Sequence, residues 1–150
     1  MLRQIVMRRI MGCALVAVAV GGVLAVGGGT AGAGSGVTTT GLEGPTWILD
    51  QEASNLEAIA PEYVVTATFE GRNLSGSSGC NRYNTTYTAR GSRLRVSRNI
   101  ASTLIACTQQ ASNVESSYLA RLPTARTFAV RGDRLTVRTS TKGADLVYRA

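Results

Sequence analysis

Of the chain's 3 cysteines, Cys13 sits near the N-terminus, which leaves Cys80 and Cys107 as the two thiols able to act on each other in a folded domain. Each has a marked setting, Gly79-Cys80-Asn81 for the first and Ala101-Ser102-Thr103-Leu104-Ile105-Ala106-Cys107 for the second. A catalytic or redox thiol wants a histidine beside it or a C-x-x-C spacing, and the chain has neither. In an oxidising compartment two such thiols pair by default, and closing a loop of this length adds about 3.5 kcal/mol on the chain-entropy model. The total lack of histidine also removes the Ser-His and Cys-His nucleophile pairs and the commonest general base and metal ligand. A zinc site would need two further ligands of the right type, and none stands near.

Other candidate motifs have plainer explanations. The 9 carboxylates are dispersed, so no pair is placed for acid–base hydrolysis. Gly76-x-x-Gly79 lacks the Lys-Ser/Thr ending of a phosphate-cradling loop, and its glycines with Asn81 fit the positive φ of a turn or bulge. Arg131-Gly132-Asp133 matches an adhesion tripeptide, yet the same residues are expected at a hairpin tip. Asn73-Leu74-Ser75 and Asn84-Thr85-Thr86 match the N-glycosylation pattern, which matters only in a host that glycosylates. The expectation is therefore no enzyme, no cofactor and no metal.

The apparatus around these residues begins with a leader over 1–33. It has a basic start (Arg3, Arg8, Arg9), an apolar run over 13–26 and small residues at Ala31-Gly32-Ala33, the layout of an export signal. The run is short of the roughly 20 apolar residues that span a bilayer, so cleavage is expected, with a retained anchor as the alternative. Cys13 precedes the apolar run instead of following it, which argues against a lipidated cysteine. Residues 34–41 read as a flexible linker and 42–150 as one domain. The net charge is +7, from 16 basic and 9 acidic residues. Removing the three leader arginines leaves a mild excess, spread along the chain without a block of like charge, so no nucleic-acid partner is expected.

Period-two alternation predicts a strand over 63–70, and strand-type residues between turn signals predict others over 41–50, 74–75, 83–88, 94–96, 127–130, 135–138 and 145–148. The spacing is that of hairpins, which predicts an antiparallel meander. Trp47 is expected in the core, with Leu56 and Ile59 turned inward from a loop over 51–61. Over 112–122 the period changes: Val114, Tyr118, Leu119 and Leu122 share a helix face, Ser112 and Glu115 have capping-box spacing, and Pro123 ends the run. The expected fold class is α+β, an antiparallel curled sheet forming a partial barrel packed on one main helix.

These motifs together resemble the META/HslJ-type domain of bacterial envelope proteins. The resemblance rests on Ser75-Gly76, Gly79-Cys80-Asn81-Arg82-Tyr83, Tyr87, Leu94, Ile100-Ala101-Ser102-Thr103, Ala106-Cys107, Glu115, Tyr118-Leu119 and Leu122, with Trp47-Ile48-Leu49, Leu135, Leu146 and Tyr148 as supporting apolar positions. It implies a sheet curled around one helix, export or envelope attachment, a link to heat or envelope stress and no established enzymatic activity. Gly79, Cys80, Asn81, Thr103 and Cys107 carry over as motif positions of structural weight. Two departures are Asn84-Thr85, in place of a glycine, and Leu104-Ile105, in place of a methionine-containing pair, which suggests a repacked interior.

Three functions follow as expectations. The first is a non-enzymatic exported accessory module, periplasmic or extracellular, that binds a partner as a monomer and touches a membrane only if the leader is retained. The second is a carrier or sensor for a small apolar ligand held between sheet and helix. The third is a secreted inhibitor docking through a disulfide-braced loop.

Overall fold

In the segment RYNTTYTAR, Tyr83, Thr85 and Tyr87 are buried while Arg82, Asn84, Thr86 and Thr88 are exposed, so one face of a strand is apolar enough to need cover. The same alternation recurs along the computed structural model, which describes residues 41–150. The expected leader over 1–33, and the linker up to residue 40, lie outside the described residues.

The strands are β1 (Thr46–Leu49), β2 (Thr66–Glu70), β3 (Asn73–Ser77), β4 (Arg82–Arg90), β5 (Arg93–Val96), a short β6 (Ala101–Ser102), β7 (Ala125–Arg131), β8 (Arg134–Thr139) and β9 (Leu146–Arg149). All pair antiparallel in chain order, β6 adding to the edge of β4 beside β5. The first and last strands then pair, Ile48 with Arg149 and Leu49 with Tyr148, and this closes an eight-stranded barrel. The expected meander and its single helix are present, and the curled sheet goes further than the partial barrel expected: the ring is complete and the domain is mostly β. Hairpin spacing reports neighbours in sequence and says nothing about β1 meeting β9, so closure was outside its reach.

The helix α1 (Gln109–Arg121) sits between β5 and β7 in the meander and lies over one end of the barrel. It begins three residues before the position expected from Ser112. Thr108 is the cap, its hydroxyl accepting from the Ala111 N–H at 3.3 Å. Glu115 does not close a capping box because its carboxylate is held elsewhere. Ala111, Val114 and Tyr118 form the buried stripe, and Leu122 extends it into a 3-10 turn, Leu122–Thr124, containing Pro123. Arg121 fastens the β1–β2 connection, donating to the carbonyls of Ser54 (2.6 Å) and Asn55 (3.1 Å).

The two ends of the barrel differ. At one end β2–β3, β4–β5 and β7–β8 turn on two residues each, and the chain entering at Gly41 folds over the opening. Leu42 is fully buried there, the Trp47 indole donates to its carbonyl at 2.9 Å, and the Tyr87 hydroxyl bonds the Glu43 carboxylate. At the other end the connections are longer, from the four residues between β3 and β4 to the stretch between β5 and β7 that carries β6 and α1.

Between the helix and the sheet the space is filled by side chains. Tyr118 from α1 meets Tyr83 of β4 and Tyr148 of β9, all three buried, among Val65, Leu94, Leu146 and Val114. The place that the carrier reading assigns to a small apolar ligand holds the protein's own aromatic rings.

Candidate functional site

The β3–β4 turn places the Gly79-Cys80-Asn81 motif at the helix-covered end. Gly79 adopts φ +99°, a conformation that a side chain strains, and a Cβ there would press on Ile59. Gly76 has a different reason for being glycine: a Cβ would overlap the Thr66 carbonyl of the neighbouring strand. The positive-φ expectation thus holds for Gly79 but not for Gly76, which close backbone approach explains, nor for Asn81, whose φ is not positive and whose amide is what the site uses.

Asn81, only 6% exposed, is the centre of the arrangement. Its Oδ1 accepts from Thr103 Oγ1 (2.8 Å) and from the Ile105 N–H (2.7 Å), and its Nδ2 donates to Glu115 Oε2 (2.9 Å) and lies 3.3 Å from Cys80 Sγ. An amide has two acceptor and two donor positions, and here each has a partner. Aspartate would lose the donors and set two carboxylates together. Ser78 Oγ lies 2.8 Å from Glu115 Oε1 and 2.7 Å from the Asn81 carbonyl. The Ser78 N–H already serves that carbonyl at 2.7 Å, so the single hydroxyl proton is best spent on the carboxylate, as a charge-assisted bond.

Cys80 and Cys107 form a disulfide with Cα atoms 5.9 Å apart. The segment from Thr103 to Cys107 is therefore tied at every second residue. Thr103 exchanges bonds with Arg82 (N–H to carbonyl, 3.0 Å; Arg82 N–H to Oγ1, 3.1 Å), Ile105 binds Asn81, Cys107 is covalently fixed, and Thr108 caps the helix. On this fixed backbone Leu104 is 98% exposed and Ile105 63%. The expectation of a repacked interior at Leu104-Ile105 is overturned, because the backbone bonds of this loop use its inner side and leave both apolar side chains in solvent.

Deeper in, the hydroxyls form a directed chain. Tyr83 donates to the Thr66 carbonyl (3.0 Å), so Tyr118 must donate to Tyr83 (2.8 Å), and Tyr148 donates to Tyr118 (3.2 Å). Burial pushes all three phenols above their ordinary value. They are protonated at any physiological pH, and their mutual hydrogen bonds hold the helix to the barrel. Among the described residues no group of three or more His, Cys, Asp or Glu side chains could hold a metal ion.

The structure brings together every expected motif position, Gly79, Cys80, Asn81, Thr103 and Cys107. Sequence reasoning missed Ser78 and the real task of Glu115, whose capping-box spacing was a decoy. It also missed the tyrosine chain. The available signal was three tyrosines at inward-facing positions, since each buried hydroxyl requires a partner.

The fold and this motif cluster define a class: small meander barrels stapled by a disulfide beneath one covering helix. The chain belongs to the META domain family, whose model matches residues 40–150. Two solved structures are similar in fold. One is an NMR structure of a protein from Burkholderia xenovorans, with 23% identity and a TM-score of 0.57, covering 73% of this chain and 83% of that one. The other is an NMR structure with 18% identity and a TM-score of 0.55, covering 69% of this chain and 86% of its own. No curated protein matches the chain.

Proposed function

We propose that the protein is an exported, non-enzymatic binding module that engages a protein partner through the 103–107 loop. The observation that carries this reading is Leu104 at 98% exposure beside Ile105 at 63%, on a backbone fixed by the disulfide and by Asn81. Two apolar side chains in water cost free energy, and a rigid loop loses little entropy when it docks. Export is supported by the leader composition and by the disulfide, which persists in oxidising compartments. Among the described residues no helix is long and apolar enough to cross a membrane.

The test is photo-crosslinking from position 104 in the exported protein, followed by mass spectrometry of the products. A single recurring partner, lost in Leu104→Asp and Ile105→Asp variants whose melting temperature is unchanged, supports the reading. A turnover activity of the purified protein abolished by a point substitution would overturn it. Intact mass with and without reductant and alkylation reports the leader cleavage, any lipid and both sulfurs; a protein keeping its leader and free thiols removes the export half of the proposal.

A further inference from the structure

Arginines that look evenly spaced in the sequence are set against one another by the register of the barrel. On the outer wall Arg90 lies opposite Arg93, Arg131 opposite Arg134, and Arg134 opposite Arg149. Like charges directly opposed on neighbouring strands, about 5 Å apart, destabilise a sheet. Asp50 answers Arg149 at 3.2 Å and Asp145 answers Arg138 at 4.0 Å. Arg90, Arg93, Arg131 and Arg134 make no ion pair among the described residues.

The wall also has a groove. Ala129 and Thr136, paired across β7 and β8, form its floor, with Arg131 and Arg134 on one rim and Arg138 on the other, around a volume of about 310 Å³. A floor of small uncharged side chains between guanidinium rims suits an oxyanion, because each planar fork offers paired N–H donors. The cationic line does not end there. Arg138 is in register with Thr127, Thr127 with Arg93, and Arg93 with Arg90, which at one strand spacing each covers roughly 14 Å of wall. One phosphate would satisfy only a part of it.

We propose that this wall binds a linear phosphate polyanion lying across the strands from β4 to β9, with Arg131, Arg134 and Arg138 as its central contacts. A concave track fits a chain better than a flat bilayer surface. Its rims and floor have no aromatic side chain on which bases could stack, which sets it apart from single-strand nucleic-acid sites. The arginine pairs without a salt bridge then have a reason, since an anion seated between them relieves their mutual repulsion.

The experiment measures binding of fluorescently labelled inorganic polyphosphate to the full chain as a function of salt. Three proteins are compared: wild type, Arg131→Gln/Arg134→Gln, and the control Arg72→Gln/Arg98→Gln, which removes equal charge from exposed positions off the wall. The wall variant is expected to bind at least about tenfold more weakly at low salt, with the slope of log K against log salt reduced by about one per arginine, while the control changes much less. Its melting temperature is expected to stay level or rise, because a repulsive pair is gone. Equal loss in both variants overturns the proposal, as does the absence of saturable polyphosphate binding. It is also overturned if anionic phospholipid vesicles or single-stranded DNA bind through these arginines and polyphosphate does not, or if the wall variant melts lower than wild type.

Discussion

The two ends of the barrel solve the same problem by different means. At the hairpin end, three two-residue turns and the buried Leu42 close the structure with residues that are near neighbours in sequence or lie just beyond the strand they cover. At the helix end the connections are long, and closure depends on a disulfide, the Asn81 amide, Arg121 and a chain of three phenols drawn from distant parts of the chain. Short turns cost little entropy to close, whereas long connections need specific cross-links to stay in place. The cross-linked end is also the one that holds an apolar pair out in water.

This contrast can be broken most severely in the tyrosine chain. Tyr118→Ala is expected to cost about 3–5 kcal/mol in urea unfolding, since it empties a buried volume and strips Tyr83 and Tyr148 of a partner. The same group sets an alkaline limit. Because folding raises these phenols above the ordinary value of 10.0, their contribution is complete below that pH and is lost as pH rises through the folded values. Tyrosinate absorbance of the three should appear together with unfolding; gradual titration in a folded protein would contradict their burial.

Next in size is the staple. Replacing both Cys80 and Cys107 with serine is expected to cost about 3.5 kcal/mol, read by denaturant midpoint. Hydrogen exchange should quicken over 103–108 and the first turn of α1, while the Arg131–Arg134 hairpin stays protected. A uniform loss over both ends would erase the distinction between them. Asn81→Ala should cost about 1–3 kcal/mol, because Glu115 and the Ile105 N–H lose their partner inside a nearly closed site. Smallest of all, inserting Gly-Ser between Gly132 and Asp133 should cost no more than about 1 kcal/mol in melting experiments, since loop entropy grows slowly with length.

The same division governs what could be read from the sequence. Hairpin strands, the buried face of β2 and the Gly132 turn were legible because they depend on period and on residues a few positions apart. The helix was legible by its stripe, but its start was misplaced, since Ser112 and Glu115 imitate a cap that Thr108 supplies. The bonds from Asn81 to Thr103 and Glu115 bridge 22 and 34 positions, and no local pattern encodes them. The arginine wall was hidden for a similar reason: residues separated by turns acquire a common address only once register is fixed.

The first described residue, Gly41, and the last, Ala150, both lie on the hairpin side of the barrel. Gly41 packs near Val130, and the Ala150 N–H bonds the Asp133 carbonyl at 2.9 Å. Anything joined directly to Gly41 or to Ala150 would meet the domain on the side away from Leu104. Held at either of these two residues, the domain would present its apolar tip outward, like a probe on a stalk.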